Sequence, residues 1–195
     1  MTARGLELTV KNIEPVAKGV VLITLADRSG AELPAWTPGS HVDLHFGKHG
    51  PEFIRQYSLC GPANDKHLWQ VAVLDESDGR GGSSYIHRQL TVGEMVRASL
   101  PRNHFLLEPA DEYLFIAGGI GITPLLPMIR EVASTGARWK LVYCGRSQET
   151  MAFINELSSL GSADRVVIHE SDRRGRAGLS SIIADASPCA EVYCC

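Results

Sequence analysis

Tyr113-Leu114-Phe115-Ile116-Ala117-Gly118-Gly119-Ile120-Gly121-Ile122-Thr123-Pro124 is the stretch on which the fold class turns. Five apolar residues run into a glycine cluster, and a helically spaced apolar series follows through Leu126, Ile129, Val132 and Ala133. That order reads as strand, tight turn and helix. The uncharged run from Tyr113 to Ile129 approaches the ~17-residue lower limit for a spanning helix. Gly118, Gly119, Gly121, Pro124 and Pro127 interrupt it, so a membrane segment is not expected.

Downstream the rhythm repeats. Strands are expected at Lys140 to Cys144, Arg165 to His169 and Glu191 to Cys194, with helices at Glu149 to Leu160 and Leu179 to Ala184. Strands alternating with helices imply a parallel sheet covered on both faces. In strand order 3-2-1-4, the Gly118 turn and Cys195 flank one crevice at the topological switch point, where ligands bind beyond the carboxyl ends. No helix follows Cys195 to cover the last strand, and the sequence therefore reads as cut short.

Upstream the period is two: Leu6, Leu8, Val10; Val21, Ile23, Leu25; Val42, Leu44, Phe46; Trp69, Val71, Val73. Turn residues fall between these runs at Asp27 to Gly30, Pro34 to Gly39, Gly47 to Pro51, Gly61 to Asp65 and Asp78 to Gly82. This is the spacing of an antiparallel barrel or sandwich, with one short helix at about Ser84 to Leu90. The linker between the halves is placed at Pro109 to Glu112.

The chain has 195 residues, 44% of them apolar and 21% charged, with a net charge of −3. A chain of this size buries a substantial core, which excludes disorder. The mildly acidic balance without a Lys/Arg block gives no electrostatic footprint for nucleic acid or an anionic membrane. The N-terminus carries no secretory signal, so the cytoplasm is the default compartment. The five cysteines do not form a paired secreted framework and read as thiols.

Three segments carry chemistry. Gly118 to Pro124 permits close backbone approach and turns free amides toward an anion, as for a pyrophosphate, although the same turn could serve packing alone. Arg55-Gln56-Tyr57-Ser58-Leu59 ends a strand and offers a cation, an aromatic face and a hydroxyl, which suit a flat phosphorylated ring system. The plain alternative is a surface arginine beside a half-buried tyrosine. Strict alternation would put Ser58 opposite Arg55 and Tyr57, so the strand must twist or end there. Asp78-Gly79-Arg80-Gly81-Gly82-Ser83-Ser84 precedes the short helix, with Ser83 or Ser84 expected as N-cap; an ordinary polar connection is the alternative. His41, His45 and His49 lie on a strand and its turn and do not converge, so no metal is expected. No nucleophile elbow is present, and Cys189 with Cys194 lacks the partners of an iron–sulfur run.

Together these segments, with Pro101-Arg102-Asn103-His104-Phe105 and Val192-Tyr193-Cys194-Cys195, resemble the ferredoxin–NADP reductase superfamily, in its phthalate dioxygenase reductase and vanillate demethylase reductase branch. The resemblance implies a six-stranded antiparallel flavin barrel over residues 1–108. An α/β nicotinamide-binding domain follows over 109–195, incomplete here, and a two-iron two-sulfur ferredoxin domain is expected in the full-length protein. It implies flavin phosphate at Arg55, Gly81, Gly82, Ser83 and Ser84, the ring or ribityl chain at Tyr57, and the redox centre at Ser58, with Gln56 also among the flavin-binding residues. The backbone of Val73 and Leu74 would run along the isoalloxazine. Gly118, Gly119, Gly121, Thr123, Arg146 and Asp172 would hold the dinucleotide, with Cys195 beside the nicotinamide. FMN is expected, with FAD the alternative, and NADH rather than NADPH because Asp172 would accept from a ribose hydroxyl and repel a phosphate; the alternatives are a phosphate met by Arg173, Arg174 or Arg176, and a plain exposed charged loop. The implied partner is a Rieske-type oxygenase component or its ferredoxin. Rival readings are a reductase that releases reduced flavin and a non-enzymatic nucleotide-sensing subunit.

Overall fold

The computed structural model describes residues 5–47, 52–161 and 164–195. The chain divides into two compact units, Met1–Leu106 and Leu107–Cys195.

The first unit is antiparallel. Its strands are β1 (Leu6–Ala17), β2 (Val20–Asp27), β3 (Ser40–Phe46), β4 (Phe53–Ser58), β5 (Leu68–Leu74), β6 (Met95–Ala98) and the two-residue β7 (Arg102–Asn103). They pair in the order β4-β3-β6-β1-β2-β5, with β7 added to β3. Alternation sets which side chains enter the core: on β3, Ser40, Val42, Leu44 and Phe46 are buried while His41, Asp43 and His45 are not. Leu8, Val10, Ile23, Leu25, Trp69 and Val71 fill the interior with Val42 and Leu44. One isolated bridge, Leu59 to Val71, joins the segment after β4 to β5. His49 falls outside the described residues.

The short helix α1 (Gly82–Arg88) starts two residues earlier than its periodicity predicts, and its N-cap is Gly81, not Ser83 or Ser84. The reason is conformational. Gly81 takes φ 79°, a left-handed value that costs glycine little. Neither serine caps the helix, because their hydroxyls reach back to the Asp75–Glu76 segment. Ile86 is buried as expected, and Leu90 packs from beyond the helix end.

The second unit is a parallel sheet of β8 (Glu112–Gly118), β9 (Arg138–Gly145), β10 (Val166–Glu170) and β11 (Glu191–Cys194), in the order β10-β9-β8-β11. This is the 3-2-1-4 order. Tyr113 through Ala117 are all buried, as in a strand covered on both faces. Helix α2 (Ile122–Thr135) buries Ile122, Leu125, Leu126, Ile129 and Val132 and stops at Gly136, φ 81°.

Two further differences from the sequence reading are local. The helix expected over Glu149 to Leu160 splits into a 3-10 turn at Gln148–Thr150 and α3 (Ile154–Leu160). Between them Met151 folds inward onto Gly145, and Phe153 takes φ 65°, which breaks the helical path. A four-residue helix, α4 (Ser171–Arg174), follows β10 where a loop is expected, and α5 (Leu179–Ala184) lies at its expected place. No helix among the described residues is long and apolar enough to cross a membrane.

Candidate functional site

In the first unit, β4 sorts its side chains by pleat. Phe53, Arg55 and Tyr57 share the half-buried side while Ile54 and Gln56 are exposed. Alternation breaks at Ser58, which ends the strand, and Leu59 drops into the core. Gln56 therefore faces away from Arg55 and Tyr57, its amide 3.5 Å from Asp43. Ser58 pairs with His41.

Arg55 lies across the Arg80–Gly82 turn. Its guanidinium donates to the carbonyls of Ile54 (2.9 Å) and Arg80 (3.0 Å) and sits 5.6 Å from the Phe53 ring centroid. The absence of a side chain at Gly82 makes this possible, since a Cβ there would stand 2.8 Å from Arg55 Nε. Two sequence-distant segments are thus brought together: a cation and the start of α1. Part of the guanidinium's donor fork remains for an anion, an arrangement suited to a phosphate. Ser83 Oγ accepts from the Glu76 amide and Ser84 Oγ donates to Asp75, so both hydroxyls brace this turn.

Val73 is buried and pairs with Val21, and Leu74 pairs with Val20. The Val73 carbonyl lies 2.9 Å from His87 Nε2. Sequence reading missed His87, whose position one turn into a short helix carries no local signal of that contact. Tyr57 is largely desolvated. Burial pushes its phenol up to about 12, partly offset by the Arg55 cation.

A raised folded-state value means that Tyr57 supports stability below the unfolded phenol's value of ~10 and loses that support as pH rises toward about 12. Tyr57→Phe is expected to flatten the alkaline fall in stability over that window. Urea midpoints measured from pH 9 to 12 check it; parallel pH curves for the two proteins would count against the assignment.

In the second unit the Gly118 turn and Cys195 meet. The Gly118 amide donates to the Cys195 carbonyl (2.7 Å), and the Cys195 amide donates to Ile116 (3.0 Å). Gly119–Gly121 form a 3-10 turn that leads into α2, with Gly119 at φ 53°. A Cβ at Gly121 would fall 2.4 Å from the Cys195 carbonyl carbon and oxygen, so the close approach requires glycine. Thr123 is buried, and its hydroxyl donates to the Ile120 carbonyl at 3.0 Å, closing the turn from within. Cys195 is exposed as a residue, and partial desolvation of its thiol, with Cys194 adding to it, raises the thiol above its ordinary value.

Arg146 and Asp172 lie on neighbouring connections, and the Asp172 amide donates to the Arg146 carbonyl (3.2 Å). Both side chains are exposed. Beside them Glu170 accepts from Gln148 at 3.0 Å, which holds its carboxyl below the ordinary value. Sequence reading missed Glu170 and Gln148. Among the described residues no His/Cys/Asp/Glu group is arranged for a metal ion.

The second unit matches the model of the oxidoreductase NAD-binding domain over residues 115–185. The carnitine monooxygenase reductase subunit of Escherichia coli (strain K12) is 39% identical over 190 residues, 97% of this chain and 59% of that protein. The solved structure of phthalate dioxygenase reductase superposes with a TM-score of 0.87 at 34% identity, over 98% of this chain and 60% of that one. The chain belongs to the ferredoxin reductase superfamily, in its phthalate dioxygenase and vanillate demethylase reductase branch. An intact type IV self-sufficient cytochrome P450 monooxygenase contains a similar region, with a TM-score of 0.90 and 42% identity over 98% of this chain and 24% of that one. The chain spans about three fifths of the length of the curated ferredoxin reductase relatives it matches. Similarity to these reductases covers both units, so the Arg55–Gly82 cluster and the Gly118–Cys195 cluster each lie within the shared region.

Proposed function

We propose that this chain is the flavin- and nicotinamide-binding portion of an oxygenase reductase. It would take hydride from NADH onto a bound flavin and pass single electrons to an iron–sulfur centre, and so to a Rieske-type oxygenase component or its ferredoxin. The observation that carries the reading is the reach of the similarity: relatives named as reductase subunits match across both units, not the nucleotide-binding unit alone. The flavin supplies the chemistry, accepting two electrons together and releasing them singly.

The first unit, assigned to residues 1–108, is the flavin domain, and closure of its sheet into a six-stranded barrel is supported by the Leu59–Val71 bridge between the two ends of the strand path. Arg55, with Gly81 and Gly82, binds the flavin phosphate, and Ser83 and Ser84 hold that turn in place. Tyr57 and Ser58, at the end of β4, line the ring and its redox centre, with Val73 and Leu74 alongside. Gln56 faces the other way and contributes through its backbone. Residues 109–195 bind the nicotinamide nucleotide: Gly118, Gly119 and Gly121 admit the pyrophosphate, Thr123 closes their turn, and Arg146 and Asp172 stand at the ribose end. Cys195 lies at the nicotinamide end. We place the protein in the cytoplasm, consistent with five free thiols and an NADH donor.

Of the two flavins, FMN suits a turn that ends in a phosphate clamp; mass spectrometry of the released cofactor decides it, and an adenylated flavin would reverse the assignment. For the donor, Asp172 favours the ribose hydroxyl of NADH and opposes the 2′-phosphate of NADPH. The expected result is a kcat/KM for NADH higher by roughly tenfold, equivalent to ~1.4 kcal/mol of discrimination, falling toward equality in Asp172→Asn. Equal kcat/KM values for the two nucleotides in the unmodified protein would remove Asp172 from this role.

A second reading keeps the electron path and changes the acceptor. The 42% identity to a region of a self-sufficient cytochrome P450 monooxygenase favours an oxygenase carried on the same polypeptide. The absorbance spectrum of the whole gene product separates the two, since a haem Soret band marks the fused enzyme, and flavin with iron–sulfur absorption but no Soret band marks the separate reductase.

A further inference from the structure

Tyr143 is fully buried in the middle of the second unit's sheet, yet it carries a polar hydroxyl that Phe would lack. A buried hydroxyl is costly unless it is bonded, and this one is bonded. It donates to the Gly119 carbonyl at 3.1 Å. Gly119 belongs to the connection after β8, at the carboxyl end of the sheet, while Tyr143 sits on the neighbouring β9. The ring fills the core, and the hydroxyl ties that turn to the sheet.

The consequence follows from peptide geometry. In a trans peptide the C=O and the N–H point in opposite directions. Anchoring the Gly119 carbonyl on Tyr143 therefore aims the Ile120 N–H away from the sheet interior, on the turn that opens α2. Gly119 sits at φ 53°, a conformation that this tether and the Ile122 amide, also bonded to the Gly119 carbonyl, together hold. The neighbouring connections are joined in the same way, Gly118 to Cys195 on one side and Asp172 to Arg146 on the other. Tyr143 is the side-chain link in that row, and the residues already assigned to the nucleotide do not include it.

We infer that Tyr143 is a positioning residue for the nucleotide: its hydroxyl holds the Gly119–Ile120 peptide with the Ile120 N–H directed at the pyrophosphate of a bound dinucleotide. The inference rests on the nicotinamide reading of the second unit and adds to it the residue that preorganises the turn.

The test is Tyr143→Phe in the flavin-loaded protein, which keeps the ring and removes the hydroxyl. The KM for NADH and the dissociation constant for ADP-ribose, which has the pyrophosphate but no nicotinamide, are both expected to rise roughly fivefold, the effect of one lost hydrogen bond. kcat and flavin content should stay within about twofold of the unmodified protein, a split that a general loss of structure would not give. Unchanged ADP-ribose affinity, or a fall in kcat at constant KM, overturns the role of Tyr143. No NADH or ADP-ribose binding by the unmodified protein overturns the nicotinamide reading itself, and this inference with it. Should the variant fold poorly, amide exchange in the unmodified protein decides: protection of the Ile120 N–H on adding ADP-ribose supports the inference, and no change overturns it.

Discussion

Arg55→Ala is expected to weaken flavin binding roughly ten- to hundredfold, the loss of a charge-assisted phosphate contact of about 1.5–3 kcal/mol. The guanidinium is already oriented before any ligand arrives. Two carbonyls, Ile54 and Arg80, and the Phe53 ring fix its place against Gly82. Preorganisation matters because a freely rotating arginine would lose side-chain entropy on binding. Arg97→Ala is the matching control, since Arg97 is paired with Glu52 and takes no part in the cluster. Quenching of flavin fluorescence on titration reads both affinities. Equal affinities for the Arg55 and Arg97 variants would take Arg55 out of the site.

Gly121→Val is expected to lower nucleotide affinity by up to about a hundredfold while flavin content stays unchanged. The first added carbon would lie 2.4 Å from the Cys195 carbonyl carbon and oxygen. These are backbone atoms whose neighbours hold them, through the Gly118–Cys195 and Cys195–Ile116 hydrogen bonds, so they cannot step aside as a flexible side chain would. Overpacking of this kind costs typically 1–3 kcal/mol, and it acts directly on the turn assigned to the pyrophosphate. The separation of the two effects is the informative part. Equilibrium binding of ADP-ribose beside the flavin absorbance of the same sample measures it, and wild-type affinity in the variant would show that the Gly118–Gly121 turn serves packing alone.

Strong periodicity made the sheets legible: the alternation of Val42, Leu44 and Phe46, and the unbroken run Tyr113 to Ala117, leave little choice of secondary structure. The alternation of strands with helices made the parallel sheet legible, while the order β10-β9-β8-β11 matches the doubly wound order taken as a premise and does not follow from the alternation itself. The misreadings fell where tertiary contacts override local preference. Ser83 and Ser84 are good caps in isolation, but their hydroxyls are held by Asp75 and Glu76, and a left-handed glycine takes the cap instead. The helix expected from Glu149 is broken because Met151 packs onto Gly145, a contact between residues that no periodic pattern relates. Of the candidate site, the glycine turns were visible as breakers between elements. The hydroxyl of Tyr143 and the ring of His87 were not, since each reads as an ordinary position on its element until the partner loop is in place. Arg55 illustrates the middle case, a residue whose type was informative and whose companion, Gly82, only the fold supplies.

On the proposed function, one chain carries both a flavin site and a nicotinamide site, and hydride passes between their ligands. Anaerobic addition of one equivalent of NADH to the flavin-loaded protein tests it most directly, with absorbance followed near the flavin maximum. The expected result is bleaching of the flavin band with matching loss of NADH absorbance. Persistence of the oxidised flavin spectrum, with flavin bound and NADH in excess, would contradict it.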